Sequence, residues 1–270
     1  MTICVSAIAT DNGKESIVFS TDHMVSVGDL GQFEKEIKKY KILNKNNIVA
    51  MLSGQMLLFD RILEGTNDFY DFYKIKGKII ENMAKIRKEI IKKEVYDLFG
   101  IDENYIKTIL SNPIQNPFVQ RILETVSNFS LQTSILLVGF DNEGKAQISE
   151  IDEKSYADYR DIHFHAIGSG STQALNTLLF QKHCKSKDLK TAIYNVYKAK
   201  RNAEVVVGVG KETEVIILNK EGFQELKEDK IIKLSNIYDL ELNYGVTHQD
   251  LNTILDLNNN NKREEFFNVH

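Results

Sequence analysis

The 270-residue sequence is poor in the features that mark several large protein classes. It has two cysteines, Cys4 and Cys184, which are too few for a disulfide framework and are not arranged as a CxxC metal or redox pair. No stretch approaches the roughly 18 consecutive apolar residues of a membrane span, since the best run, at 135–140, has the length of a strand. The start lacks the basic flank and apolar segment of a secretory signal, which predicts a cytoplasmic protein without a membrane partner.

An excess of positive charge is also lacking. The formal net charge is −4, from 34 Lys and Arg against 38 Asp and Glu. Nucleic-acid binding depends on a concentrated positive face, so this balance argues against DNA or RNA as a partner. Lysine-rich pieces such as KIRKEIIKK mix Lys with Glu and Ile at helical spacing, which is typical of a solvated helix face.

Apolar periodicity begins at the second residue, which is unusual because chain ends commonly fray. Between residues 2 and 9, Ile3 and Val5 share one face, while Cys4 and Ile8 make the other face apolar as well. This pattern predicts a strand that is covered on both sides. An Asn-Gly turn leads into SIVFSTD, which predicts a hairpin. KYKIL and IVAMLSG, on either side of NKNN, repeat the same plan.

The order of the later segments predicts the fold class. Helical periodicity occurs at 56–63, 75–90, 172–183 and 189–202. The strand-like segments TSILLVGFD, KAQISEID and IHFHAIGSGS lie between the two helix pairs, and VVVGVG, TEVIILNKEG and FQEL follow them. Helices in consecutive pairs favour antiparallel over parallel sheets. The sequence therefore predicts an α+β fold, a four-layer αββα sandwich of two antiparallel sheets flanked by helix pairs.

The same pattern predicts a single domain over residues 1–245. Residues 96–128 contain both prolines and short helical patterns, and we interpret them as a helical insertion. Residues 246–270 contain NNNN and are expected to form a loosely ordered tail.

Thr2 is the sharpest catalytic candidate in the sequence. A threonine hydroxyl is a poor nucleophile unless a base removes its proton, and the residue's own α-amine is one recognised base. The α-amino group has a reference pKa of roughly 7.7–8.0, so a useful fraction is neutral near physiological pH. This chemistry requires removal of Met1, because the nitrogen of Thr2 is otherwise a non-basic amide. Many chains carry a second-position threonine by chance, so the neighbouring motifs decide its interpretation.

Four further segments carry candidate partners for Thr2. STDHMVS places Asp22 at the end of the strand that should pair with the Thr2 strand, although such an aspartate can also serve only a turn. EIKKYKIL places Lys38 and Lys39 at the start of the third strand, where a lysine charge can lower the local proton affinity unless the side chain is simply at the surface. MLSGQ and AIGSGS place backbone N–H groups before helices, where they can hold an oxyanion.

These segments together resemble the proteasome β-subunit family of N-terminal-nucleophile hydrolases, most of all its divergent prokaryotic members that start at Met-Thr. The resemblance covers most of the chain, from Thr2 and STDHMVS through LSG and AIGSGSTQAL to TEVIILNKEGFQEL. It implies that Thr2 is the nucleophile and, through its amine, the base, with Asp22 and Lys39 as the charged pair beside it. It also implies that Ser169 hydrogen-bonds near the amine and that the Gly54 amide holds the oxyanion.

Two points of this resemblance stay open. Lys39 is preferred because Tyr40 and Leu43 then occupy the apolar positions of the motif, but a one-residue slip would bring Lys38 to the same face. The family usually shows Arg-Asp and then a Ser-Gly-Gly loop after the fourth helix, where this chain reads RNAEVVVGVGK. Asn202 or Glu204 are the nearest substitutes for the missing acid, and neither matches convincingly.

The resemblance implies an amide or peptide hydrolase that needs no cofactor, acts on a peptide or amide substrate and assembles as a homo-oligomer, in a ring or a helical array. The alternative is a catalytically inactive subunit that serves as an assembly scaffold. A third hypothesis is a ligand-binding module, because the amides of GSGS can bind phosphate. GVGKE lacks the glycine and the Ser or Thr of a phosphate loop, and His163 and His165 lack a third metal ligand.

Overall fold

The computed structural model describes residues 2–26, 32–34, 37–43, 47–110 and 117–244. The tail predicted at 246–270 lies outside the described residues, and so do residues 111–116 of the predicted insertion. The domain boundaries proposed from the sequence stay a prediction. None of the described helices is both long and apolar enough to cross a membrane.

Two five-stranded antiparallel sheets and a two-stranded ribbon form within the described residues. The strands are β1 (Cys4–Asp11), β2 (Lys14–Asp22), β3 (Met24–Ser26), β4 (Gln32–Glu34), β5 (Tyr40–Leu43), β6 (Ile48–Ser53), β7 (Ser134–Phe140), β8 (Ala146–Ile151), β9 (Tyr156–Asp158), β10 (Phe164–Ile167), β11 (Thr213–Asn219) and β12 (Gly222–Glu225). The first sheet has the order β10-β1-β2-β11-β12, and the second has the order β5-β6-β7-β8-β9. The predicted hairpin joins β1 to β2, where Asn12 and Gly13 both have positive φ, as a type I′ turn requires.

The described helices occur in the predicted pairs, with additions. They are α1 (Phe59–Ile62), α2 (Phe72–Ile91), α3 (Glu103–Leu110), α4 (Pro117–Asn128), α5 (Ser171–Phe180), α6 (Leu189–Ala203) and α7 (Glu228–Tyr244). The side chain of Asp71 accepts a hydrogen bond from the Lys74 amide and begins α2, while Asp188 does the same for Thr191 at α6. Such N-caps satisfy donors that a helix leaves unpaired in its first turn.

Successive side chains along each strand point to opposite faces of the sheet and so pack into different layers of the molecule. Ile3 and Val5 of β1 pack against α5 and α6, whereas Cys4 and Ile8 lie between the two sheets. In the second sheet, Leu52 and its neighbours on that face pack against α1 and α2, and the opposite face meets the first sheet. Burial of each such aliphatic side chain stabilises the fold by about 1.5–3 kcal/mol. The predicted four-layer αββα sandwich is confirmed.

Two sequence interpretations after α6 were wrong. VVVGVG is not a strand: residues 204–208 form a turn in which Val205 and Val207 are 79% and 76% exposed, and Gly208 has a φ of 89°. The apolar β-branched letters favour extended backbone, but the glycine permits a reversal that a strand cannot contain. The sequence reading also missed α7, although its buried residues Leu234 and Ile237 are spaced three apart, as on one face of a helix.

Candidate active site

Pairing between strands brings the candidate residues to one end of the sandwich. Cys4 of β1 lies opposite Thr21 of β2, so Thr2, just before β1, lies beside Asp22 at the end of β2. Lys39 comes from the other sheet, immediately before β5, and its carbonyl accepts a hydrogen bond of 2.9 Å from the Leu52 amide. The candidate active site is therefore at the mouth between the stacked sheets.

Thr2, Asp22 and Lys39 form one buried cluster, in which their side chains are in direct contact. The Thr2 Oγ1 hydroxyl donates to Asp22 Oδ1 at 2.5 Å, and Lys39 Nζ donates to the same oxygen at 2.7 Å. Lys39 Nζ also donates to Thr2 Oγ1. The three residues are 2%, 0% and 3% exposed, respectively. Lys38, in contrast, turns away from Thr2 and donates to the Tyr40 hydroxyl at 2.9 Å.

Asp22 is the centre of this cluster because both of its carboxylate oxygens accept several hydrogen bonds. Besides the two side-chain donors, Oδ1 accepts from the Ile3 amide at 3.0 Å. The other oxygen, Oδ2, accepts from the Gly210 amide at 2.8 Å and from the Met24 amide at 3.2 Å. Burial by itself would raise the pKa of Asp22, but the charge of Lys39 and these hydrogen bonds outweigh it and hold the pKa below its usual value. The carboxylate is thus ionised at neutral pH.

The backbone of Thr2 is held by the turn at 168–170, where the predicted Ser169 lies. Ser169 Oγ accepts from the Thr2 nitrogen at 3.2 Å and donates to the Thr2 carbonyl at 3.3 Å. The Gly170 amide also donates to that carbonyl, at 3.3 Å. A Cβ at Gly168, where φ is 100°, would lie 2.3 Å from the Thr2 oxygen, so glycine is needed for this close approach.

Gly54 lies just beyond β6, before a 3₁₀ turn at Met56–Leu58 that leads into the four-residue α1. Its φ is 112°, and a Cβ there would lie 2.0 Å from the Gln132 carbonyl oxygen. Glycine is thus required by the contact between the ends of β6 and β7. Its role as the oxyanion donor stays a prediction.

Lys200 joins this site, and the sequence reading missed it. It is fully buried on α6, where it occupies an otherwise apolar face with Ile193, Val196 and Ala203. A lysine at a position where the helical period demands an apolar side chain is the signal that could have identified it. Its ammonium contacts the segment that carries Gly210, the amide donor to Asp22.

The two substitutes considered for the family's missing acid do not contact Thr2. Asn202 Nδ2 donates to Thr177 Oγ1 at 2.9 Å, and its Oδ1 accepts from the Tyr238 hydroxyl at 2.6 Å. Glu204 pairs with Lys200 at 2.7 Å. The loop after α6 therefore reaches the site through the backbone amide of Gly210 rather than through an acidic side chain.

The histidines of HFH take different positions in the structure. His165 Nε2 lies 2.7 Å from Glu150 Oε2, and its ring stacks on Tyr159 with 3.5 Å between centroids. His163, in contrast, has a positive φ of 74° in the turn that precedes β10. Across the residues that the structure describes, no group of three or more His, Cys, Asp and Glu side chains is arranged to hold a metal ion.

The chain is thus an α+β protein with a four-layer αββα sandwich and a buried Thr2–Asp22–Lys39 cluster at its mouth. No protein-family model matches the sequence, and no curated protein matches it. Solved structures do match. A Gly-1 mutant of Anbu from Hyphomicrobium sp. strain MC1 is 12% identical, with a TM-score of 0.60 over 91% of this chain and 96% of that one. Another Anbu structure from the same strain is also 12% identical, with a TM-score of 0.61 over 90% of this chain and 96% of that one. Anbu (ancestral beta-subunit) from Yersinia bercovieri is 12% identical as well, with a TM-score of 0.62 over 89% of this chain and 94% of that one.

These neighbours correct the family expected from the sequence. Assignment to the proteasome β-subunit family was wrong, because the three similar structures named above are Anbu proteins. The quoted motifs are strand ends and glycine turns before helices, which the sandwich itself requires, so they specify the fold without specifying a family. At 12% identity the similarity establishes the fold alone.

Proposed function

We propose that this chain is a threonine-dependent amide or peptide hydrolase whose nucleophile is Thr2, made N-terminal by removal of Met1. The observation that carries the proposal is the convergence of Asp22 and Lys39 on the Thr2 hydroxyl, within a cluster shielded from water. A buried threonine that serves only packing does not need an ion pair of this kind, because burial of charge is costly. The arrangement fits the activation of a hydroxyl.

Acylation of Thr2 is the first half of the proposed reaction. The free α-amine accepts the proton of Oγ1 as that oxygen attacks the substrate carbonyl carbon, which gives a tetrahedral oxyanion. The Lys39 ammonium stabilises negative charge as it develops on Oγ1, with Asp22 as its counter-ion. The C–N bond then breaks, the leaving nitrogen takes the proton from the α-ammonium, and an ester to Thr2 remains.

Hydrolysis of the ester is the second half. The α-amine removes a proton from a water molecule, which attacks the ester carbonyl. The C–O bond to Thr2 breaks, its oxygen regains the proton, and a carboxylic acid leaves. Ser169 holds the nitrogen of Thr2 at 3.2 Å in the required orientation, and the Gly54 amide is the proposed oxyanion donor.

An inactive subunit that acts as an assembly scaffold is the second candidate. Two observations favour it: no side chain from the loop after α6 replaces the family's acid at Thr2 among the described residues, and the outer helix α5 exposes Leu179 and Phe180 by 60% and 84%. Exposed apolar residues of this kind fit contact between copies of the chain. Homo-oligomer formation is thus a proposal under both candidates, and light scattering of the purified protein tests it.

The experiment that separates the candidates begins with the intact mass of the purified protein. Protein that starts at Thr2 is treated with a peptide epoxyketone, an electrophile that reacts with both the hydroxyl and the free amine of one terminal threonine. The adduct is then mapped by mass spectrometry. We expect one adduct on Thr2 and none on the Thr2→Ala variant. A chain that begins at Thr2 and forms no adduct contradicts the hydrolase, as does a chain that retains Met1 throughout.

A further inference from the structure

Lys200 is a buried cation whose donors are all used within the protein. Its Nζ donates to Glu204 Oε1 at 2.7 Å, to the Gly210 carbonyl at 2.8 Å and to the Lys211 carbonyl at 2.9 Å. An ammonium has three N–H donors, so these three acceptors satisfy it completely. Two of the acceptors belong to consecutive carbonyls, which fixes the backbone on the C-terminal side of Gly210.

The segment that Lys200 holds is the one that contacts the candidate active site. The Gly210 amide donates to Asp22 Oδ2 at 2.8 Å, on the side of the carboxylate opposite to Lys39 and Thr2. Residues 204–210 form turns and irregular backbone in which Val205 and Val207 are exposed, whereas Val206 and the buried Val209 pack into the core beside α6. The ammonium of Lys200 adds a polar anchor on the other side of Gly210, at the Gly210 and Lys211 carbonyls.

Charge balance does not explain why a lysine is buried at this position. Glu204 also pairs with Arg201 Nη1 at 3.2 Å, so this carboxylate has a cation without Lys200. Burial lowers the pKa of Lys200, although Glu204 and Asp22 oppose that effect. Lys200 donates to the Gly210 carbonyl and, together with the Thr213 hydroxyl, to the Lys211 carbonyl, so it links two consecutive carbonyls next to the amide that contacts Asp22.

We propose that Lys200 is a positioning residue, which fixes the loop at 204–211 so that the Gly210 amide stays bonded to Asp22 and keeps that carboxylate ionised beside Thr2. The catalytic consequence rests on the proposed function of Thr2, whereas the effect on Asp22 does not. Several other titratable or charged groups lie near Asp22 and Lys200. They are Lys39 and Cys4 from the inter-sheet side, His23 and Glu214 from β2 and β11, and Glu204 and Arg201 behind Lys200.

The test is a titration of Asp22 that does not depend on activity. Protein with ¹³C-labelled aspartate is titrated by NMR, and the Asp22 carboxyl signal is assigned with Asp22→Asn. In Lys200→Met, loss of the loop anchor and of a nearby cation should shift the Asp22 midpoint upward by about one pH unit, the size of one hydrogen bond to a charged group. In an active enzyme, the acid limb of the kcat/KM profile moves up equally.

Matched variants separate positioning from general damage. Lys198→Met removes a lysine from the same helix, where Lys198 pairs with Glu241 at 2.5 Å, and should leave the Asp22 midpoint unchanged. Glu204→Gln keeps both carbonyl contacts of Lys200 and should leave the midpoint unchanged or lower it. Lys200→Gln, which keeps N–H donors for the loop carbonyls but not the charge, should raise the midpoint by less than Lys200→Met does, and Lys200→Leu replaces Lys200→Met if the latter does not fold.

Two outcomes overturn the inference. An unchanged Asp22 midpoint in a folded Lys200→Met protein shows that Lys200 is merely structural, and an upward shift in Glu204→Gln shows that the pair with Glu204 is what matters. If the midpoint shifts as expected but neither protein turns over substrate, the positioning role stands and the proposed hydrolase fails. If the wild type is active and the midpoint does not move, only the role of Lys200 fails.

Discussion

Two charged clusters lie side by side at the mouth of the sandwich, and neighbouring residues in the chain supply both. The inner cluster contains Thr2, Asp22 and Lys39. The outer cluster contains His23, which follows Asp22, and Lys38, which precedes Lys39. Its three carboxylates are Glu212, just before β11, Glu214 of β11 and Glu225 of β12. At both positions the two adjacent side chains have different partners, which separates the clusters: Lys39 contacts Asp22, whereas Lys38 contacts Glu225.

Burial is the difference between the lysines of the two clusters. The inner residues are almost completely shielded and converge on one hydroxyl, whereas the Lys38 side chain is 52% exposed and pairs with Glu225 at 2.9 Å. An exposed pair contributes about 0–1 kcal/mol because water screens it, while removal of one partner from a buried pair costs about 3–5 kcal/mol. The comparison teaches that, of two adjacent lysines, the one that is shielded from water belongs to the candidate site.

The largest expected effect comes from the uncharged member of the inner cluster. Thr2→Ala removes the nucleophile and should lower turnover by about 10³-fold or more, with assembly and thermal stability retained. Thr2→Ser keeps the hydroxyl and should keep measurable turnover. Steady-state kinetics and thermal melts check both variants, and an Ala variant as active as wild type contradicts the nucleophile assignment.

Substitution of the two adjacent lysines tests the comparison directly. Lys39→Met leaves the Asp22 charge buried without its cation and should lower the free energy of unfolding by about 3–5 kcal/mol. Lys38→Met removes a half-exposed pair and should lower it by less than about 1 kcal/mol. Urea denaturation measures both values. Equal losses for the two lysines would remove the distinction between the clusters.

A double variant sharpens the same distinction. Because Asp22 and Lys39 are in contact, the loss of stability in Asp22→Asn with Lys39→Met should be smaller than the sum of the single losses, by about 2 kcal/mol. The corresponding cycle for Lys38 and Glu225 should show a coupling below about 1 kcal/mol. Additive losses at the inner pair would contradict its description as one coupled unit.

The smallest expected effect is the pH dependence of the outer cluster. Contact with Glu214 raises the pKa of His23, although partial burial acts in the opposite direction. Burial by itself would raise the pKa of Glu214, but contact with His23 and the charge of Lys38 outweigh it and lower that pKa. The contribution of His23 to the free energy of unfolding is therefore complete below its ordinary pKa of 6.5 and is lost as pH rises through its raised pKa. The contribution of Glu214 to the free energy of unfolding is present above its ordinary pKa of 4.5 and is lost as pH falls through its lowered pKa.

The stability difference between wild type and His23→Gln should accordingly shrink as pH rises from 6 to 9. Urea denaturation over that range measures it, and Lys14→Gln, at an exposed pair far from the cluster, is the control. A difference that grows with pH would show that His23 does not act as a cation here.

Local sequence patterns were sufficient to predict the sheets and to select many residues of the candidate site. The alternation in β1 predicts the burial of both its faces, and the end of SIVFSTD locates Asp22, because these features depend on neighbours in the chain. The bond from Gly210 to Asp22 joins residues 188 positions apart, and no local pattern encodes it. Lys200 and the exposed turn with Val205 belong to the same long-range arrangement.

The position of β1 has a consequence for the order of events during synthesis. One of the two neighbours of this strand, β10, is made about 160 residues later, where Cys4 pairs with Ile167. At about 5–20 residues per second, a ribosome needs roughly ten to thirty seconds to supply that partner. Because Thr2 is 2% exposed after the sheet has closed, the proposed removal of Met1 fits the interval before closure.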